Sequence, residues 1–200
     1  MKNRNAKLAL AIACGLAAMG GHAESITVNG DTTLNAAAHL DFSVVVPRIL
    51  KFRVGTTGAT IDQITFTVPA ANVADATPIA GTGGDAGSGT AANVSIVGNG
   101  GQVTITESNN SGGSGLQHAT LTDTISYAAI TTTSSDSTNL DAPVLSDGGG
   151  HSKAPVLNAS HVTNRTAVWT YSYANTALVS AGTYGTNAKG GRVTYTASMP

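Results

Sequence analysis

The sequence predicts an all-β fold, a single antiparallel β-sandwich behind an N-terminal signal peptide, and three observations carry that prediction. Thr, Val, Ala, Ser, Asn and Gly dominate, while Lys, Glu and Leu, the staple of soluble helices, are scarce. Apolar and polar residues alternate with period 2 in several short runs, each closed by Gly, Pro or Asn. The chain opens on an export leader.

In that leader Lys2, Arg4 and Lys7 precede the apolar run Leu8 to Met19, and Gly21-His22-Ala23 offers small residues at −3 and −1 of a cleavage site. The run is too short to stay as a membrane span, so residues 1–23 are expected to be removed and residues 24–200 to form one domain. A second reading stays open. Ala11-Ile12-Ala13-Cys14-Gly15 loosely resembles a lipobox, in which Cys14 would become a lipidated first residue. Cleavage after Ala23 removes Cys14, the single cysteine, so stability must come from core packing and sheet pairing without disulfides. A domain of this size buries roughly 70% of the surface of its unfolded chain and needs no staple. The leader holds three of the ten basic residues and none of the eleven acidic ones, which leaves a net charge near −4 and speaks against nucleic acid as a partner.

The clearest alternation lies between Leu40 and Val68. Leu40, Phe42, Val44 and Val46 share one face with Asp41 and Ser43 opposite, and Pro47 ends the run because proline cannot donate to a central ladder. Leu50, Phe52 and Val54 then point one way and Lys51 and Arg53 the other, before the turn Gly55-Thr56-Thr57-Gly58. Ile64, Phe66 and Val68 make a third face, closed by Pro69. All three Phe residues stand at inward positions of these runs, so the segment is expected to supply half of the core. Ala36-Ala37-Ala38 reads as strand or connector, and Ala70 to Ala76 as at most one helical turn.

The middle of the chain is looser. Gly81 to Gly89 is too rich in glycine to pack a core. Asn93 to Val97 and Gln102 to Thr106, separated by Gly98-Asn99-Gly100-Gly101, read as a hairpin. Leu121, Asp123, Ile125 and Tyr127 share a parity in which Asp123 is the misfit, as an edge strand would allow. Residues 131 to 163 hold only Leu140 to Leu145 and Val156-Leu157 as strand fragments. Order returns with Trp169, Tyr171 and Tyr173 on one face and Val193, Tyr195 and Ala197 on another. No repeat of 20 to 50 residues argues for a solenoid or propeller.

The end of the chain, Ala181-Gly182-Thr183-Tyr184-Gly185 followed by Gly191 to Thr196, resembles the closing strands of bacterial fimbrial-subunit and spore-coat-U-like secreted proteins, where a GTY turn precedes a last alternating strand. The resemblance covers about 20 of the 200 residues. It implies a sandwich of Ig-like or pilin-like type and a structural or adhesive role outside the inner membrane, in the periplasm, at the outer cell surface or beyond the cell, with self-association or another surface protein as partner. An incomplete sandwich can take a strand from a neighbouring subunit. Glu24 to Leu34, with Ile26, Val28 and Leu34, is the candidate donor, and the same residues could equally be the first strand of a self-complete monomer.

Other readings rest on side chains. Trp169, Tyr171 and Tyr173 at i, i+2 and i+4 form a strip that either stacks on a glycan, which would make the chain a monomeric ligand-binding module, or packs in the core. An enzyme is not expected: no G-x-S-x-G elbow is present, Gly84-Asp85-Ala86-Gly87 has Ala where a serine nucleophile would stand, and His39, His118, His151 and His161 lack zinc-ligand spacing. No catalytic, cofactor-binding or metal residue is assigned. Asp136, Asn139, Asp141 and Asp147 lie in one loop-rich stretch but do not follow the EF-hand pattern, and solvated turn carboxylates are the expected reading. Arg48, Lys51 and Arg53 are the one basic cluster after the leader, suited to an anionic surface or, more simply, to keeping a sheet face soluble. The sequons at Asn158 and Asn164 follow a bacterial type of leader and are not read as modified.

Overall fold

The computed structural model describes residues 25–200, so the expected leader, its expected cleavage site and Cys14 lie outside the described residues. Those residues fall into two units divided between Val46 and Pro47. In the first unit, residues 25–46 form no strand and no helix, and every one is exposed.

The second unit is all-β and antiparallel throughout. Its strands are β1 (Leu50–Val54), β2 (Thr65–Phe66), β3 (Ile79–Thr82), β4 (Ala91–Gly98), β5 (Thr104–Asn109), β6 (Leu116–Gln117), β7 (Thr124–Ile125), β8 (Ile130–Ser134), β9 (Ser152–Lys153), β10 (Thr163–Tyr173) and β11 (Val193–Ser198). The larger sheet is organised around β10, the longest strand. Thr163 to Thr170 pair with β4, Ser172 and Tyr173 with β3, and Trp169 to Tyr173 with β8 on the opposite edge. Outside β4 lies β1, and outside β3 lies β2. A second sheet runs β11-β5-β9, and β6 pairs with β7 by itself.

One core serves both larger sheets. Val94, Ile96, Ala167, Trp169 and Tyr171 from the first meet Ile105 from the second and Val103 just before β5, and Tyr127, Leu140, Ala142 and Leu145 close the same cluster. Period-2 alternation explains the strands directly: β4 and β10 bury every second residue while their polar rows face outward. Trp169, fully buried, donates its indole N–H to the Leu140 carbonyl at 3.2 Å and meets the Tyr195 ring edge-on with centroids 5.2 Å apart. That satisfies the one polar atom of the largest core side chain.

Several expectations are corrected. Leu40, Phe42, Val44 and Val46 do not enter the core: they are between 70% and 87% exposed. Alternation specifies a face to be covered but not which surface covers it, and Phe42 is 87% exposed. Phe52 and Phe66, by contrast, pack against the core half-buried. The hairpin expected across Gly98 to Gly101 does not form. β4 and β5 enter different sheets, because both turn an apolar row toward the same core from opposite sides. Leu121 to Tyr127 is strand only at Thr124–Ile125 and then enters a 3-10 turn, Tyr127–Ala129, capped by the Ser126 hydroxyl accepting the Ala128 N–H. Leu140 to Leu145 forms no strand yet buries Leu140, Ala142 and Leu145, while β8 arises from the Thr/Ser stretch expected to be loop. Ala36 to Ala38 likewise form no strand.

Candidate functional site

The residues singled out from the sequence resolve one by one. Trp169, Tyr171 and Tyr173 are all buried, so the aromatic strip is core and offers no flat face to a glycan. Asp85 accepts the Asn93 N–H at 2.7 Å and its side-chain amide at 3.1 Å, so the Gly84-Asp85-Ala86-Gly87 segment is a loop stapled to the start of β4. Asp136 accepts from the Asn139 backbone and side chain, Asp141 pairs with Lys153 at 2.5 Å, and Asp147 accepts the Tyr127 N–H at 2.6 Å. These carboxylates serve separate turns rather than one ligand sphere, and the described residues hold no group of three or more metal-binding side chains.

His118 is buried, and its contacts fix its role. Nδ1 accepts the N–H groups of Thr120 and Leu121 at 3.0 and 2.9 Å, so Nε2, which faces the Ala181 carbonyl at 3.2 Å, carries the hydrogen. The ring meets Tyr184 edge-on at 4.9 Å. Thus the Gly182-Thr183-Tyr184 turn is a clamp: the Thr183 carbonyl accepts the Ala119 N–H, the Tyr184 hydroxyl donates to the Ser180 carbonyl, and the Ser180 hydroxyl donates to Asp123. Gly182 has φ +154°, and a Cβ there would collide with His118 Nε2. A small residue at this place is a packing requirement.

What sequence reading missed is Glu107. It is fully buried on β5, opposite Tyr195 of β11, with Oε1 accepting from Asn109 at 3.2 Å and Oε2 without a partner. Asn109 also donates to the Ser146 carbonyl, and Ser111 links Asn109 to the Asp147 carbonyl. Tyr127 donates its hydroxyl to the Gly190 carbonyl at 2.5 Å. Burial first, then the charges of Glu107 and Asp147, push the Tyr127 phenol up to about 12.

Cover over the core thins along β1 and β11. Among the described residues β1 is laddered only to β4 and β11 only to β5, so each keeps one backbone edge unladdered. The two strands pass within 8 Å of each other. Leu50 and Met199 both lie against Gly98, which places the start of β1 beside the residue that follows β11. Phe52, Val54, Val193, Tyr195, Ala197 and Met199 pack against the core but are only half-covered, as Ile64, Phe66 and Leu116 are elsewhere. A separate hollow of about 390 Å³ opens where the end of β1 meets the following turn, lined by Phe52, Arg53, Val54, Thr56, Thr57, Gly58 and Thr60. The seam is therefore apolar, elongated and bordered by two strand edges. Lys51 and Arg53 stand on its outer rim. Arg53 lies over Ser95 and donates to the Gly55 carbonyl, and Arg48 donates to the Gly100 carbonyl.

Among the described residues no helix is long and apolar enough to cross a membrane. Compared with family models, with curated proteins and with solved structures, the chain matches none.

Proposed function

We propose that this chain is an exported structural or adhesive subunit of the bacterial surface, built as an incomplete antiparallel sandwich and assembled from copies that share strands. The export leader supports the location, and the single observation that carries the assembly is Leu40 to Val46. Five apolar residues in seven, each at least 70% exposed, precede Pro47 without belonging to a strand. Monomeric proteins rarely leave such a run uncovered, since it templates aggregation. A half-covered seam with two free strand edges is the complementary shape, and strand addition satisfies its backbone groups and its apolar face together. Burying Leu40, Phe42, Val44 and Val46 contributes about 6 to 12 kcal/mol, enough to offset a large part of the entropy lost on association. This segment replaces Glu24 to Leu34 as the donor, because Ile26, Val28 and Leu34 are less exposed and Gly30 interrupts them.

Deleting residues 25–46 tests the reading. Sedimentation velocity is expected to show oligomers for residues 25–200 and only monomers for residues 47–200, with an unchanged β-type circular dichroism spectrum. A full-length mature chain that stays monomeric at high concentration removes the proposal.

A further inference from the structure

Hydrophobic alternation leaves one feature of that assembly undetermined. A slip of one residue would turn Leu40, Phe42, Val44 and Val46 outward, but a slip of two keeps them inward, and Val45 blurs the pattern at one end. Something else must select the register. The charges are distributed to do so. Residues 25–46 contain Asp31 and Asp41 and no Lys or Arg. Neither β1 nor β11 contains an acid, while Lys51 and Arg53 lie on the outward row of β1 and Arg192 immediately precedes β11. The guanidinium groups of Arg48 and Arg53 meet neutral carbonyl and hydroxyl oxygens rather than a carboxylate, and the ion pair found among the described residues joins Lys153 of β9 to Asp141.

We propose that Asp41 of an incoming segment seats beside Lys51 and Arg53 of a second copy and thereby restricts the register of strand addition. The inference rests on the strand-sharing reading given above. Its geometry follows from parity. When the even-numbered residues of Leu40 to Val46 face the seam, Asp41 and Ser43 face outward, in the same row as Lys51 and Arg53. Neighbouring strands lie about 4.8 Å apart, which brings Asp41 within reach of either cation. A two-residue slip keeps the carboxylate in that row and moves it from one cation to the other or past the pair toward an end of β1, so only registers that leave Asp41 beside Lys51 or Arg53 gain the charge pairing. Opposite charges at facing positions thus separate registers that are equal in apolar burial. The row is exposed, so the selection weakens as salt rises.

Sedimentation velocity across about 0.02 to 0.5 M NaCl tests this on the mature chain. Association of the native chain is expected to fall with salt. Asp41→Lys and Lys51→Glu should each weaken association at low salt by roughly three- to tenfold and no longer show a fall in association with salt, and the double charge-swap variant should regain both. Phe42→Asp serves as the control and should abolish association at every salt concentration. If Asp41→Lys and Lys51→Glu associate like the native chain while Phe42→Asp does not, the charge inference falls and strand addition stands. If Phe42→Asp associates normally, or the native chain never associates, strand addition falls and this inference with it. All of these positions are at least partly exposed, and circular dichroism checks that each variant folds.

Discussion

Tyr127 shows how a single residue ties loops to the core. Its hydroxyl meets the Gly190 carbonyl, its N–H meets Asp147, and its ring fills the core beside Trp169 and Leu140. Burial raises its titration to about 12, and burial also raises the phenols of Tyr171, Tyr173 and Tyr195. Each native phenol titrates above the unfolded value near 10, so the folded state binds more protons than the unfolded state in between. Stability contributed by the neutral phenols is complete below about pH 10 and is lost as pH climbs toward 12. Alkaline titration is expected to give tyrosinate absorbance that appears together with unfolding. Glu107→Gln should bring the Tyr127 titration part of the way down, because the charge of Glu107 is the second cause of the shift and burial is the first. Simple, independent titration near pH 10 in the folded protein would contradict this. At Gly182 the argument is steric. Gly182→Ala drives a methyl into His118, so a loss of about 2 kcal/mol or more is expected in urea unfolding.

Among the elements, β10 determines most of the architecture, because it is laddered to β4, β3 and β8 and supplies Ala167, Trp169, Tyr171 and Tyr173 to the core. Trp169→Ala is expected to cost about 3 to 5 kcal/mol, chiefly because it opens a cavity, the Leu140 carbonyl keeping the Ser134 hydroxyl as its other donor. In the native chain iodide should leave tryptophan emission unquenched. Ready quenching would place the indole at the surface, against its burial. β1 and β11 are the opposite case. They are edge strands whose apolar rows are half-covered, and the proposed assembly assigns them a shared purpose. Their outward rows were legible from alternation alone, with Lys51 and Arg53 on one and Thr194 and Thr196 on the other. That both rows border one seam was not, because pairing between residues far apart in sequence depends on how the sheets fold over each other.

For the whole molecule, the separation at Val46 and Pro47 means that residues 25–46 add no buried side chain to the fold. Deleting them should therefore leave the thermal midpoint of the monomer unchanged while removing association. A fall of several degrees would show that the segment is part of the monomer's own core. Composition and period-2 alternation were enough to establish that the protein is all-β and antiparallel, and to locate β1, β2, β10 and β11, since a repeating local pattern fixes which side chains can share a face. Tertiary structure decided which faces meet. It sent β4 and β5 to different sheets, buried Glu107 opposite Tyr195, made the Gly182-Thr183-Tyr184 turn a clamp on His118, and left Leu40 to Val46 outside. The physical reason is that alternation encodes the need for burial, whereas the partner that provides it is a property of the assembled surface.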